Sequence, residues 1–223
     1  DQRFTIHTAY NGPDALEMDS KALFDLFHEE DVDQVQNQID TSRREMKTWR
    51  DQYRIRHPKK GIVWLEGHAT PERLADGSTL WYGYIWDVTE RKQSETRIRK
   101  LALYDSLTGL ANRRLIKDRL AHAIATSRRN RNFGAVLMLD LDNFKSLNDT
   151  KGHDVGDALL VEVANRLQSG VRETDTVGRL GGDEFVVVLE WLGEKEKPAR
   201  KKAMKVAEKI RKALNKVYVL GEE

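Results

Sequence analysis

Arg179-Leu180-Gly181-Gly182-Asp183-Glu184-Phe185-Val186-Val187-Val188-Leu189 is the stretch that decides the fold of the second half of the chain. Two glycines and two carboxylates separate apolar segments with the patterns typical of β-strands. Because glycine adopts a positive φ without strain, residues 181–184 predict a tight hairpin turn that a bulky ligand can approach. Carboxylates at such a tip suit a hard metal ion or a proton transfer, or they are simply solvated. This segment alone leaves both interpretations open.

The composition describes a globular chain of one or two domains. Its 223 residues are 39% hydrophobic and 33% charged, which is enough to bury a core. The formal net charge of +2 gives no support for nucleic acid as a partner. Cysteine is absent, so disulfides, thiolate metal sites and cysteinyl-flavin photosensing are excluded. No apolar run approaches membrane-spanning length and no signal peptide opens the chain; we therefore expect a cytoplasmic protein, as far as these 223 residues are concerned.

The first half of the chain predicts a small α+β unit. Helical stretches at 20–27 and 29–44 precede three strand-like segments, at 49–57, 62–70 and 80–88. Turn signals at 57–61 and 75–77 join these strands into an antiparallel meander. We expect its aromatic residues to form a core rather than a cofactor site; they are Trp64, Trp81, Tyr82, Tyr84 and Trp86.

Three motifs mark this half: Tyr53-Arg54-Ile55-Arg56-His57, Trp64-Leu65-Glu66-Gly67 and Asp87-Val88-Thr89-Glu90-Arg91-Lys92. In their order they resemble the C-terminal part of a PAS domain, in which the last motif leaves the sheet and starts an output helix. The charged, glycine-free segment 89–103 predicts such a helix, with Thr89 or Asp87 as its N-cap. We therefore expect a sensor domain at 1–90, whose ligand is unknown, and a linker helix at 91–103.

The remainder, 104–223, predicts helices alternating with strands. The helices are expected at 115–127, 155–171 and from Pro198 onward, and the strands at 133–141, 175–180 and 185–190. The order β-α-β-β-α predicts a sheet covered by helices on one face.

Acidic residues stand at the ends of two of these strands. Asp140 and Asp142 close the strand 133–141, while Asp183 and Glu184 occupy the hairpin tip. If the strands are neighbours, the acids converge and repel one another unless they share a divalent cation or a proton. Oxygen ligands without cysteine select Mg²⁺ or Mn²⁺, the ions of phosphoryl transfer. Solvated strand ends are the alternative.

Five motifs follow one another in this half: Asp105-Ser106-Leu107-Thr108-Gly109-Leu110-Ala111-Asn112-Arg113-Arg114, Asp140-Leu141-Asp142-Asn143-Phe144-Lys145, Asn148-Asp149, Gly152-His153-Asp154-Val155-Gly156-Asp157 and Gly181-Gly182-Asp183-Glu184-Phe185. Residues 104–223 resemble the GGDEF domain of the diguanylate cyclase family. The resemblance implies a nucleotidyl-cyclase-like palm sheet covered by helices. This domain follows a PAS-like antiparallel sheet domain along the chain, so that the fold class combines α+β and α/β.

The resemblance also implies an activity: a homodimer condenses two GTP into cyclic di-GMP and two pyrophosphates. Asp140 and Asp183 would be ligands of Mg²⁺ or Mn²⁺, assisted by the Leu141 carbonyl. Glu184 would help with the metal or deprotonate the attacking 3′-hydroxyl. The catalytic residues expected from the family are therefore Asp140, Asp183 and Glu184.

By the same resemblance, Asn148 and Asp157 would read the guanine edge. The backbone near Asn143 and Phe144, together with Lys145, would hold the β- and γ-phosphates, and Gly182 would leave room for the ribose and phosphate. Two of these residues have simpler explanations: Asp157 as an acid near a helix start, and Asn148 as an ordinary turn residue.

A second site is expected at Arg172 and Asp175, an RxxD pair separated from Gly181 by five residues. The family carries an inhibitory site for its product at this spacing. Arginine can bind phosphate or the Hoogsteen edge of guanine, and aspartate can accept its N1 and N2 hydrogens. A surface salt bridge is the alternative.

Three functional hypotheses follow. The first is a PAS-regulated diguanylate cyclase with product feedback. The second is a GGDEF-type receptor that binds GTP or cyclic di-GMP without turnover, although such receptors usually lose the acidic pair that is present here. The third makes the PAS half dominant, as a dimerisation or sensing module.

The family pattern continues beyond residue 223 with a strand, a helix, and a phosphate-binding lysine and arginine. We expect Asp105 and Arg113 to attach the linker rather than touch substrate.

Overall fold

The computed structural model describes the backbone of residues 2–6 and the whole of residues 25–220. The chain divides into two compact units, Asp1–Arg97 and Ile98–Glu223. Most of the helix predicted at 20–27 lies outside the described residues. Its last part, 25–27, is a turn followed by a bridge between Phe27 and Ile55, and not helix. No helix in residues 25–220 combines the length and the apolar character that crossing a membrane requires.

The first unit is built on a four-stranded sheet. Its elements are β1 (Gln2–Ile6), α1 (Val32–Glu45), β2 (Trp49–His57), β3 (Gly61–Arg73), β4 (Thr79–Asp87) and the beginning of α2 (Thr89–Leu103). The strand order is β1-β4-β3-β2. The predicted antiparallel meander of β2, β3 and β4 is confirmed, and β1 adds a parallel strand beside β4.

Alternation along β4 divides the aromatic residues between two faces of the sheet. Trp81 is 2% exposed and packs in a core with Tyr53 and Val63. Tyr82 and Trp86, which point to the other face, are about half exposed. The expectation that all of these aromatics are core is therefore wrong for Tyr82, Trp86 and the exposed Tyr84, because only one face of the strand meets α1 and the other core residues.

One buried acid ties the start of α2 to this sheet. Glu66, 8% exposed, accepts hydrogen bonds from Arg91 Nη2 at 2.6 Å, Arg50 Nη2 at 2.7 Å and Gln52 Nε2 at 2.7 Å. These three donors lower the pKa of Glu66 to about 2. The helix predicted at Thr89–Leu103 is confirmed, and its entry is fixed because Asp87 accepts the Thr89 N–H at 2.9 Å.

The second unit contains a three-stranded antiparallel sheet in the order β5-β7-β6. Its elements after α2 are α3 (Arg113–Asn130), β5 (Phe133–Leu139), α4 (Phe144–Lys151), α5 (His153–Gly170), β6 (Thr176–Gly181), β7 (Glu184–Gly193) and α6 (Glu196–Leu214). The central strand β7 is fully buried from Phe185 to Leu189, each residue being at most 2% exposed, which explains its continuous apolar sequence.

Helices cover both faces of this sheet. On one face, Val187 packs with Leu167 of α5 and Ile210 of α6. On the other face, Val186 packs with Ile116 of α3. The expectation of helices on one face only is therefore wrong: consecutive residues of a strand point in opposite directions, and an apolar run such as that of β7 needs a cover on each side.

Candidate functional site

The glycine turn joins β6 to β7 at one edge of the sheet. The last ladder pair is Gly181 with Glu184, so Gly182 and Asp183 are the two central residues of the turn. Gly181 has φ of +141° and Gly182 of +55°, values that favour glycine. No heavy atom lies within 4 Å of the position that a Cβ would take at either glycine. The tip is therefore open, as a surface that receives a bulky ligand must be.

Strand pairing brings the acids together. Leu139 of β5 pairs with Phe185 of β7, and Asp140 and Glu184 each lie one residue beyond that pair. The expectation that these strands are neighbours is therefore confirmed. Asp140 and Glu184 are exposed, and Asp183 is half-buried. Within residues 25–220, no three acidic or histidine side chains form a metal-holding group; the predicted ligands are two carboxylates and a backbone carbonyl, all of them hard oxygen donors that fit Mg²⁺ or Mn²⁺.

The loop that follows β5 contains the residues predicted to hold phosphate. Asn143 adopts φ of +60° and immediately precedes α4, a helix that the sequence did not predict. The Phe144 N–H donates to the Leu141 carbonyl at 3.3 Å. Lys145 is exposed in the first turn of α4. The three residues at the start of α4 are therefore adjacent to Asp140, but the Phe144 N–H already has an acceptor.

The two residues predicted to read guanine lie on adjacent helices that meet at a glycine. A Cβ on Gly156 of α5 would lie 1.8 Å from Oδ1 of Asn148 on α4. That oxygen is buried and has no hydrogen-bond partner within the part of the chain that the structure describes. Asp157, the residue after Gly156, is exposed. Only a glycine permits this approach, which buries the Asn148 oxygen against α5 one residue before Asp157.

Comparison with family models is decisive at this point. The model described as "Diguanylate cyclase, GGDEF domain" matches residues 102–222, more than half of the chain. This chain belongs to the GGDEF family. A PAS fold model matches residues 2–85, a range that includes β1, α1, β2, β3 and most of β4.

Bacterial proteins named as diguanylate cyclases match part of this chain. The chain is 45% identical over 133 residues to the bifunctional diguanylate cyclase/cyclic di-GMP phosphodiesterase MucR of Pseudomonas aeruginosa, covering 60% of this chain and 18% of the relative. It is 37% identical over 159 residues to the diguanylate cyclase TpbB of the same species, covering 71% and 34%. A solved GGDEF domain of TpbB is 41% identical, covers 49% of this chain and 61% of its own, and has a TM-score of 0.46. The chain thus spans about a third or less of the two curated relatives.

The GGDEF turn is held by two arginines that the functional predictions did not include as site residues. Arg179 donates to the Gly182 carbonyl from Nε at 2.9 Å and from Nη2 at 2.7 Å, and its Nη1 donates to Asp105 at 3.1 Å. Arg113 donates to the Leu180 carbonyl from Nε and Nη2, both at 3.2 Å. Asp105 and Arg113 thus contact the GGDEF hairpin or its arginine directly. Nothing in the sequence pattern distinguishes Arg179 from a solvated strand residue.

Partial burial works to raise the pKa of Asp105, but hydrogen bonds outweigh it. The Thr108 hydroxyl donates to the carboxylate at 2.6 Å, and the Thr108 N–H donates at 2.9 Å. Together with Arg179, they hold the pKa of Asp105 below its usual range. Asp105 is therefore a fixed anion against which Arg179 is oriented.

The RxxD pair of the GGDEF unit lies in the turn between α5 and β6. The carboxylate of Asp175 accepts the Arg172 N–H at 3.1 Å and the Glu190 N–H at 3.2 Å. Arg172 itself is exposed. The carboxylate of Asp175 therefore stabilises this turn, whereas the guanidinium of Arg172 is accessible to a ligand.

Proposed function

We propose that this protein is a diguanylate cyclase, which condenses two GTP into cyclic di-GMP and releases two pyrophosphates. The observation that carries the proposal is the position of Asp140 and Glu184, each one residue beyond the pair Leu139–Phe185, next to the turn that contains Asp183. Membership of the GGDEF family supports the same reaction. GTP is a cytoplasmic metabolite, and we therefore propose that the reaction takes place in the cytoplasm.

Asp140, Asp183 and the carbonyl of Leu141 would hold Mg²⁺ or Mn²⁺. Their oxygen atoms match the preference of these ions, and the three residues follow β5 or form the turn at the same edge of the sheet. When bound, the cation would offset the negative charge that develops on the phosphate oxygens. Without it, carboxylates and nucleotide phosphates would repel one another.

The reaction forms one phosphodiester bond at a time. The 3′-oxygen of one GTP attacks the α-phosphorus of the other, the bond to pyrophosphate breaks, and the 3′-hydroxyl loses its proton. Glu184 is the residue to accept this proton or to assist in holding the cation, because its exposed carboxylate lies next to Asp183. A second, reciprocal attack closes the ring. Each GGDEF unit would hold one GTP, so the active species is a homodimer.

Base recognition is assigned to the junction of α4 and α5. The Asp157 carboxylate is exposed and can accept the N1 and N2 hydrogens of guanine, a donor pair that adenine lacks, and the side chain of Asn148 would contact the same edge of the base. Asn143, Phe144 and Lys145 would bind the β- and γ-phosphates; the Phe144 N–H would exchange its bond to the Leu141 carbonyl for one to phosphate. The open surface of Gly182 leaves room for the ribose and phosphate.

Two forms of control are part of the proposal. The PAS unit would regulate turnover in response to a signal that enters α2 through the contact between Arg91 and Glu66. Cyclic di-GMP would inhibit by binding at Arg172 and Asp175. The proposal assigns the contact with the ligand chiefly to Arg172, since Asp175 already binds two backbone amides.

The deciding experiment is product formation from GTP and MgCl₂, with cyclic di-GMP and pyrophosphate measured by mass spectrometry. Glu184→Gln should lower the rate at least ~100-fold, the contribution typical of a general base. Glu194→Gln, at an exposed position just after the other end of β7, is the matched control and should leave the rate unchanged. GTP binding by the native protein without any product would reject the cyclase in favour of a receptor.

A further inference from the structure

Arg179 makes two sets of hydrogen bonds with its one guanidinium. Nε and Nη2 donate to the Gly182 carbonyl at 2.9 and 2.7 Å, while Nη1 faces the two oxygens of Asp105 at 3.1 and 3.4 Å. The Arg179 side chain is only 12% exposed. We infer that Arg179, oriented by Asp105, is a positioning residue for the carboxylates of the glycine turn; the inference rests on the proposed cyclase function.

The carbonyl that Arg179 binds belongs to the central peptide of the turn, between Gly182 and Asp183. Rotation of that peptide by about half a turn interconverts the two common hairpin turns, types I′ and II′. Gly182 has φ of +55° and Asp183 does not adopt a positive φ, which is the pattern of type II′. A flip to type I′ would require a positive φ at Asp183. Two hydrogen bonds to the carbonyl therefore select one orientation of this peptide.

The orientation of this peptide sets the backbone around the acids. Its nitrogen belongs to Asp183, so a flip would exchange the directions of the Gly182 carbonyl and the Asp183 N–H and would tilt the bonds at the Asp183 Cα from which the carboxylate projects. The Arg179 side chain that makes these bonds is only 12% exposed, although Gly182 itself lies on the surface. A glycine-rich turn is otherwise free to sample both forms. Arg179 thus restricts the conformation of a turn that Gly181 and Gly182 would otherwise leave flexible.

Arg179 is itself anchored to the segment that follows α2. Asp105 is fixed by the amide and hydroxyl of Thr108, and Arg113 binds the Leu180 carbonyl on the other side of Gly181. Asn112, next to Arg113, donates from Nδ2 to the Ala102 carbonyl of α2 at 3.0 Å. The end of α2 and the glycine turn are therefore joined by a continuous set of hydrogen bonds within the second unit.

The variant Arg179→Lys tests the inference, because lysine keeps the charge that Asp105 needs but lacks the planar fork that grips the carbonyl. We expect kcat to fall about 100-fold, the usual effect of misplacing reacting groups by ~1 Å, with KM for GTP changed less than about threefold. In NMR relaxation dispersion, the Asp183 amide should show exchange broadening that the native protein lacks. Arg129→Lys, an exposed arginine in the last turn of α3, is the matched control and should change neither.

A second variant, Asp105→Asn, should act in the same direction with a smaller loss, about tenfold in kcat, because Arg179 keeps its bonds to Gly182. It decides the matter if Arg179→Lys fails to fold. Unchanged dispersion at Asp183, or a kcat per folded molecule within twofold of native, overturns the inference. If the native protein makes no cyclic di-GMP, the proposed function fails, and the Asp183 amide alone decides whether Arg179 positions the turn.

Discussion

Replacing Gly156 by alanine should cost the protein its affinity for GTP while leaving its fold intact. The added Cβ would lie 1.8 Å from Asn148 Oδ1 and 2.9 Å from its Cγ. Real Cβ atoms essentially never approach closer than 3.0 Å, so the oxygen must move by more than 1 Å. The end of a side chain moves more easily than a helix. We therefore expect the Asn148 side chain to rotate out of its place at the junction of α4 and α5, where the proposal assigns the contact with guanine.

The magnitude follows from the loss of one hydrogen bond between Asn148 and guanine. Removing such a partner costs about 1–3 kcal/mol, which corresponds to roughly a 5- to 150-fold rise in the Kd of GTP. The free energy of unfolding should change by less than about 2 kcal/mol, because better helix propensity of alanine offsets part of the strain. Titration calorimetry with GTP, carried out in a Glu184→Gln background to prevent turnover, measures the Kd directly.

A double-mutant cycle separates this mechanism from general damage. In an Asn148→Ala background both close atoms are gone, and Phe144 Cζ at 3.3 Å is the nearest remaining neighbour of the added Cβ. Gly156→Ala should then raise the Kd of GTP less than about threefold. Gly170→Ala, in the last turn of the same helix, meets only the flexible Ile210 Cγ1 at 3.3 Å and should bind GTP as the native protein does. An equal loss in both backgrounds, or a Kd for the single variant within twofold of native, would refute the reasoning.

Two further predictions concern charge. The folded state holds the pKa of Glu66 at about 2, below its ordinary 4.5. The hydrogen bonds of Glu66 therefore stabilise the first unit above pH 4.5 and are lost as the pH falls towards 2. In chemical unfolding, the free energy of unfolding should decline between these pH values, and Glu66→Gln should remove that decline. Arg172→Ala should relieve inhibition by added cyclic di-GMP without changing the free energy of unfolding, whereas Asp175→Ala should lower that free energy by about 1–3 kcal/mol in urea titrations, because it leaves two backbone amides unpaired. Inhibition that survives Arg172→Ala would contradict the assigned product site.

The elements with strong periodicity were predicted well from the sequence. The strand Trp49–His57 and the helix Thr89–Leu103 have the predicted limits, because turn chemistry and the Asp87 cap are local. The short helix α4 was missed, since Asn143 enters it through a left-handed conformation and eight residues show little periodicity. The prediction that the aromatic residues of β4 are core failed for Tyr82, Tyr84 and Trp86, because which face of the strand is covered depends on α1 and on the core around Trp81.

The sequence by itself determined the two resemblances, the glycine turn and the candidate acids, because each depends on residue types at fixed spacing along the chain. It could not show that α3 covers the second face of the sheet, since the partner of Val186 is distant in the chain. Nor could it show that Arg179 donates hydrogen bonds both to the Gly182 carbonyl and to Asp105, which is 74 residues away from Arg179 in the chain. The position of the turn along the chain is a local property, whereas the type of that turn, set by the orientation of one peptide at its tip, is decided by side chains that only the tertiary structure brings together.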